Sequence, residues 1–160
     1  MNILILGGGG REHAFAWKLS QSRDCSGLFI APGNAGTSSF GTNIDLSPLD
    51  FPEVKKACLA NRIDMLVVGP EEPLVLGIVD FFAADQEISH IPVIGPSARA
   101  AQLEGSKAFS KRFMQKHGIP TAGYREFNAE NYSEGAEFLQ AHSLPIVLKA
   151  DGLAAGKGVI

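Results

Sequence analysis

Residues 145–160, PIVLKADGLAAGKGVI, join a short apolar run to two lysines and three glycines. The run Ile146–Lys149 reads as a buried strand that delivers Lys149, and a turn then presents Gly156, Lys157 and Gly158. Backbone amides without bulky side chains can wrap phosphate oxygens, and ammonium groups neutralise their charge. A lysine closing an apolar strand would be costly to bury without an anionic partner, so the pattern predicts phosphate binding. It is not a P-loop, because no Ser or Thr follows Gly156-Lys157 and no βαβ start precedes it. The chain stops at Ile160, where a returning strand should begin. The segment therefore predicts ATP chemistry in a chain that carries only part of the machinery.

Four further segments could do chemistry. Gly7 to Gly10 follow the first apolar run and lead into Arg11, Glu12 and His13, at a helix start whose dipole favours an anion. The spacing fails G-x-G-x-x-G: counted from Gly7 the sixth residue is Glu12, and from Gly8 it is His13. The second strand ends Ile30-Ala31-Pro32 with no acidic residue for a ribose, which disfavours a nicotinamide cofactor. Pro32-Gly33-Asn34-Ala35-Gly36-Thr37 is a turn-rich loop that could face the same cleft. Pro70, Glu71 and Glu72 open a helix, and they suit a polyol or amine substrate or simply the helix start. Lys107, in the first turn of another helix, opposes the macrodipole and so faces either a ligand or solvent. His13, His90, His117 and His142 lie far apart in sequence and read as surface or capping residues.

These loops need a scaffold. Asn2–Leu6, Gly27–Ala31, Asp64–Gly69 and Ile91–Pro96 read as short, continuously apolar strands. Between them run helices: one with Ala14, Trp17 and Leu19 on its buried side, one over Phe51–Ala60, and one carrying Leu74, Val75, Ile78, Val79, Phe82 and Ala83. Asn34 to Thr42 reads as loop. Alternation of this kind predicts an α/β fold with a parallel sheet covered on both faces, Rossmann-like, its loops at the carboxyl ends of the strands. The pattern changes between residues 96 and 105. Ser106 caps a helix with Ala108, Phe109, Phe113 and Met114, stopped by Gly118. Gly123–Phe127 reads as a strand and Asn131–His142 as a helix. The roughly 55 residues after the boundary are too few for an ordinary self-contained domain.

Composition agrees with a globular chain: of 160 residues, 45% are hydrophobic and 19% charged, with a net charge of −3. No basic stripe with interleaved aromatics supports nucleic-acid binding. No apolar run approaches the roughly 18 residues of a membrane span, and Met1 leads straight into a strand without a basic signal-peptide region. Cys25 and Cys58 lack metal-like spacing and read as reduced thiols of a cytoplasmic protein.

Taken in order, Ile5–Ala14, Ala31–Thr37, Val68–Val75, Ala101–Phe109 and Leu148–Val159 resemble the phosphoribosylamine–glycine ligase (glycinamide ribonucleotide synthetase) family of ATP-grasp ligases. The resemblance spans nearly the whole chain. It implies ligation of glycine to 5-phosphoribosylamine in purine biosynthesis, with ATP split to ADP and phosphate through a glycyl phosphate, aided by Mg²⁺ or Mn²⁺. It implies an N-terminal Rossmann-like substrate domain over residues 1–103 and the start of an ATP-grasp domain over 104–160. By the same resemblance, Gly8, Gly9, Gly10, Arg11, Glu12 and His13, the loop Pro32, Gly33, Asn34, Ala35, Gly36 and Thr37, and Pro70 with Glu71 form the phosphoribosylamine cleft. Lys107 and Lys149 match ATP-contacting lysines, and Gly156-Lys157-Gly158 matches a mobile loop over the phosphates. No general base is identified. The family's adenine-hinge residues and metal carboxylates have no counterparts here, so this chain alone is expected to be inactive. A carboxylase subunit, a formate-using purine enzyme, a non-catalytic nucleotide-binding module and a dehydrogenase are the competing readings.

Overall fold

The computed structural model describes residues 1–154 and 157–160. Its contacts divide the chain into two units, Met1–Ala101 and Gln102–Ile160. The first begins with strand β1, Asn2–Gly7, whose side chains alternate between two apolar layers. Leu4 and Leu6 enter one layer, while Ile3 and Ile5 enter the other. An unbroken Ile-Leu-Ile-Leu run is what a strand buried on both faces requires.

The remaining strands are β2 (Gly27–Pro32), β3 (Thr42–Asn43), β4 (Met65–Val68) and β5 (Val93–Ile94), and all pair in parallel in the order β3-β2-β1-β4-β5. Register follows from Ile5 lying opposite Ile30 on one side and Val67 on the other. Helix α1 (Gly10–Leu19) sets Ala16 and Leu19 against the Ile3/Ile5 layer. Helices α2 (Phe51–Ala60), α3 (Glu71–Val75) and α4 (Ile78–Ala84) follow; α2 and α4 set Val54, Cys58, Ile78 and Phe82 against the Leu4/Leu6 layer. Asp50 starts α2 by accepting a hydrogen bond from the Glu53 N–H at 3.1 Å. At the middle of α2, Lys55 pairs with Asp85 at 2.6 Å and Glu87 at 2.8 Å.

Several sequence expectations need correction. Ala14 and Trp17 are exposed, and Trp17 retains 52% of its surface; the buried stripe of α1 is Glu12, Ala16 and Leu19, at spacings of four and three. Residues 74–83 do not form one helix, because Gly77 adopts φ +94° and starts a new one, leaving Ala83 exposed. A left-handed residue interrupts the ladder, and glycine does so without strain. The fifth strand shrinks from Ile91–Pro96 to two residues, since Pro92 and Pro96 lack an N–H to donate. Thr42–Asn43, read as loop or left unassigned, pairs with Phe29 and Ile30 as the edge strand β3.

Helix α5 (Ala98–Gly105) spans the division between the units. In the second unit, α6 (Lys107–Lys116) is capped by Ser106, whose Oγ accepts from the Phe109 N–H at 3.0 Å. It stops with the Ile119 N–H on the Met114 carbonyl at 2.8 Å and the Gly118 N–H on Gln115 at 3.3 Å. Helix α7 covers Tyr132–Ala141. Gly123–Phe127 is not a strand, for it finds no pairing partner among the described residues. Side chains from α6 hold it instead: Arg112 bonds Glu126 and Gln115 accepts from the Tyr124 hydroxyl at 3.3 Å, while Lys111 bonds Thr121 and Ala122 just before it. Ile146–Lys149 is likewise no full strand and is largely exposed, Lys149 included. Residues 148–150 do pair antiparallel with 158–160, through Leu148–Ile160 bonds of 2.8 and 2.9 Å and an Ala150–Gly158 bond of 2.7 Å. The returning pairing therefore begins within the chain.

Truncation of Leu66, fully buried at the centre of the sheet, should cost about 2–5 kcal/mol in urea unfolding as Leu66→Ala, whereas Trp17→Ala should cost under about 0.5 kcal/mol. The Lys55 hydrogen bond, joined by the Glu87 backbone N–H, holds the Asp85 carboxyl below its ordinary range. Its contribution is thus present at neutral pH and lost as pH falls through the folded-state value. Lys55→Met should accordingly lower the melting temperature at pH 7 and leave it unchanged in acid, where Asp85 is protonated in both proteins.

Candidate functional site

The carboxyl ends of β2, β1 and β4 lie side by side. The chain leaves β1 toward β2 on one flank and later returns to place β4 on the other. A crevice opens at such a switch point, because the loops after adjacent strands run off in opposite directions. The segments 8–13, 32–37 and 70–71 all start there, at the ends of β1, β2 and β4.

The second of these loops is built around Thr37, which is fully buried. Its hydroxyl accepts from the Asn34 N–H at 2.8 Å and lies 2.9 Å from the Asn34 carbonyl and 2.8 Å from Asn43 Oδ1, either of which can take its proton. The Asn34 Oδ1 accepts from the N–H groups of Gly36 at 2.7 Å and Thr37 at 3.0 Å, and Asn43 Nδ2 donates back to the Asn34 carbonyl at 2.8 Å. The Asn34 amide also donates to the Gly8 carbonyl at 2.9 Å, and the Gly33 N–H donates to Gly7 at 3.1 Å. These bonds latch the two loops together at close range. A Cβ on Gly8 would stand 2.5 Å from the Gly33 carbonyl oxygen, and Gly33 itself has φ +72° with Asn43 directly behind it. His13 packs edgewise on Gly36, where a Cβ would lie 2.5 Å from its Cε1, and its ring centroid is 5.5 Å from that of Phe40.

Glu12 has 4% of its surface exposed. Its Oε2 accepts from the Gly9 N–H at 2.6 Å, so the carboxylate caps α1 from inside the helix. It fills the gap left by Gly7 and Gly69: a Cβ on Gly7 would stand 2.7 Å from Glu12 Cδ, and one on Gly69 would collide with the carboxylate. Arg11 spans the opening, with Nε 3.3 Å from Glu12 and Nη2 3.4 Å from Glu71. Arg11 and Glu71 are half-exposed, and exposed pairs of this kind contribute under about 1 kcal/mol, so an incoming anion can redirect the guanidinium cheaply. Gly9, Gly10, Arg11, Pro32, Ala35 and Glu71 are open to solvent, while Glu12 and Thr37 are enclosed.

The second unit holds the other predicted residues. Lys107 is half-buried, and its Nζ donates to the Gly152 carbonyl at 2.7 Å. Lys149 and Lys157 are exposed, so the expected burial of Lys149 against an anion does not occur. Gly156 lies outside the described residues, and Gly158 is half-buried against Ala150 and Ala154. Asp-Gly after an extended run signals a turn with a capping side chain, and Asp151 fills that role. Its Oδ1 accepts from the N–H groups of Lys107 at 2.7 Å and Ala108 at 3.3 Å, and Oδ2 accepts from Ser106 Oγ at 3.0 Å. Partial burial pushes the Asp151 carboxyl up, but the N–H groups of Ala108, Gly152 and Lys107 and the Ser106 hydroxyl outweigh it and hold the carboxyl below its ordinary range. Among the described residues, no group of three His, Cys, Asp or Glu side chains is placed to hold a metal ion. Cys58 is a core thiol, pushed up to about 12 by burial.

Family models described as phosphoribosylglycinamide synthetase, N domain, and phosphoribosylglycinamide synthetase, ATP-grasp (A) domain, match residues 1–104 and 105–160. The chain is 49% identical over 162 residues to a phosphoribosylamine–glycine ligase of Pasteurella multocida, covering 100% of this chain and 36% of that protein. A phosphoribosylamine–glycine ligase of Haemophilus influenzae is also 49% identical with the same coverage. The crystal structure of the phosphoribosylamine–glycine ligase of Thermotoga maritima superposes with a TM-score of 0.72 at 35% identity, over 100% of this chain and 35% of that one. The chain thus spans about a third of the length of the relatives it matches.

Replacing the buried hydroxyl by a methyl group in Thr37→Val would strand the Asn34 N–H inside the loop. It should cost about 1–3 kcal/mol in urea unfolding, without changing the far-ultraviolet spectrum of the folded state.

Proposed function

The chain belongs to the phosphoribosylglycinamide synthetase family, and on that premise we propose that it carries the phosphoribosylamine cleft and part of the ATP site of a carbon–nitrogen ligase. The reaction is ligation of glycine to 5-phosphoribosylamine, with ATP converted to ADP and phosphate through glycyl phosphate. The observation that carries this reading is the latch between the Gly8–His13 and Pro32–Thr37 loops, with Arg11 and Glu71 across its mouth.

The substrate presents a phosphate at one end and an amine with ribose hydroxyls at the other. The N-terminal end of α1 and the Arg11 guanidinium suit the phosphate. The Glu71 carboxylate suits a hydroxyl or amine, and the exposed backbone of Gly9, Gly10, Pro32 and Ala35 permits close approach. Glu12 and Thr37 serve by fixing these loops rather than by touching substrate. Held in this way, the amine would meet an acyl phosphate without a search over orientations, which is where much of the barrier lowering in such reactions originates.

ATP is assigned to the second unit. Lys107, Lys149 and Lys157 would spread the charge of the transferring phosphoryl group, and the loop ending in Gly156-Lys157-Gly158 would exclude water from the acyl phosphate. Residues 1–103 would serve as the substrate domain and residues 104–160 as the start of the ATP-grasp domain. Mg²⁺ or Mn²⁺ would supply charge neutralisation at the phosphates. A cytoplasmic setting suits a small-molecule ligase with two unpaired thiols, Cys25 and Cys58.

Calorimetric titration of the chain with ribose 5-phosphate should show binding that weakens by about tenfold or more in Arg11→Ala, the loss of one charge-assisted contact. Equal affinity in the two proteins would refute the placement of the phosphate.

A further inference from the structure

Asp151 is tied to α6 more closely than any turn residue needs to be. One carboxylate oxygen receives the Lys107 and Ala108 N–H groups, and the other receives the Ser106 hydroxyl. Ser106 in turn takes the Phe109 N–H at 3.0 Å. Three backbone donors at the start of α6 are thereby occupied, so this helix end is closed to phosphate and its cation toward a ligand is the Lys107 side chain. That side chain is anchored one residue beyond Asp151, on the Gly152 carbonyl at 2.7 Å. At the loop's base, Ala150 bonds Gly158 and Leu148 bonds Ile160. The loop root is thus held on one side by a short antiparallel pairing and on the other by the Asp151 carboxylate, with the Lys107 ammonium beside it.

We propose that Asp151 is a positioning residue for ATP: it locks the root of the Lys157-bearing loop to the helix that carries Lys107, so that the two cations meet the phosphates as one preset group. This rests on the phosphate-loop reading above. Without the latch, Lys107 would keep its charge but lose its fixed relation to Lys149 and Lys157. Loss of a preset arrangement lowers reactivity with the nucleotide and leaves the affinity for glycine untouched.

The test is steady-state kinetics in a ligase of the relatives' full length carrying these residues, with hydrogen exchange of the 160-residue chain alongside. Asp151→Ala should lower kcat/KM for ATP by about tenfold, the size of a lost helix cap, with KM for glycine within about twofold. Amides 107–109 and 158–160 should exchange faster. Asp151→Asn keeps one acceptor oxygen for the helix amides and should recover most of the loss, which also decides the matter if the alanine variant fails to fold. Asp151→Ala kinetics equal to wild type, or an Asp151→Asn variant that shows the full tenfold fall expected of the alanine variant, with Lys149→Ala and Lys157→Ala impaired, would overturn the latch and leave the phosphate loop standing. Unimpaired ATP kinetics in both lysine variants would overturn the phosphate-loop reading and the latch with it. A fall in glycine affinity equal to the fall for ATP would show general damage and overturn the positioning role.

Discussion

A buried carboxylate with no apolar substitute governs the first unit. Glu12 sits where the ends of β1 and β4 would otherwise leave a void, and the glycines at 7 and 69 exist to admit it. It satisfies the Gly9 N–H, which begins α1, and it touches Arg11, which reaches Glu71. One side chain therefore couples a helix start, two strand ends and the Arg11 guanidinium at the mouth of the crevice. Burying a charge is tolerable only with such partners, and removing them would leave the carboxylate unpaid for. The same constraint explains three of the loop's glycines: Gly7 and Gly9 lie against Glu12 and Gly8 against Gly33, whereas a Cβ on Gly10 would meet nothing within 4 Å.

Much of the first unit was legible in the sequence because its signals are local. The Ile3–Leu6 run and the turn residues after the strands follow from short-range preferences, and Phe51–Ala60 forms the helix that its spacing predicts. What was not legible depended on partners distant in sequence. Trp17 lies on the solvent side because α1 turns Glu12 and Ala16 inward, and a charged residue is a poor marker of a buried stripe. Thr42–Asn43 is a strand only because β2 offers an edge, and Gly123–Phe127 is not one for want of such an edge among the described residues.

The site was legible to the same degree. Arg11, Glu71 and the turn glycines announce themselves as exposed, chemistry-bearing types. Glu12 and Thr37 belong to the same motifs but work from beneath, as supports. Asp151 passed unremarked since its role appears only when residues 106–108 are brought against it, more than forty positions away in sequence. A motif in sequence mixes residues that touch a ligand with residues that hold the first kind still, and burial separates the two.

The most direct test of the central claim is an amide nitrogen–proton correlation spectrum of the chain recorded during titration with ribose 5-phosphate. Shifts concentrated at residues 8–13, 32–37 and 69–71, with residues 148–160 unmoved, are what a phosphoribosylamine cleft at the carboxyl edge of β2, β1 and β4 predicts. Shifts confined to the 148–160 loop, or saturable binding with none at the three strand ends, would contradict it.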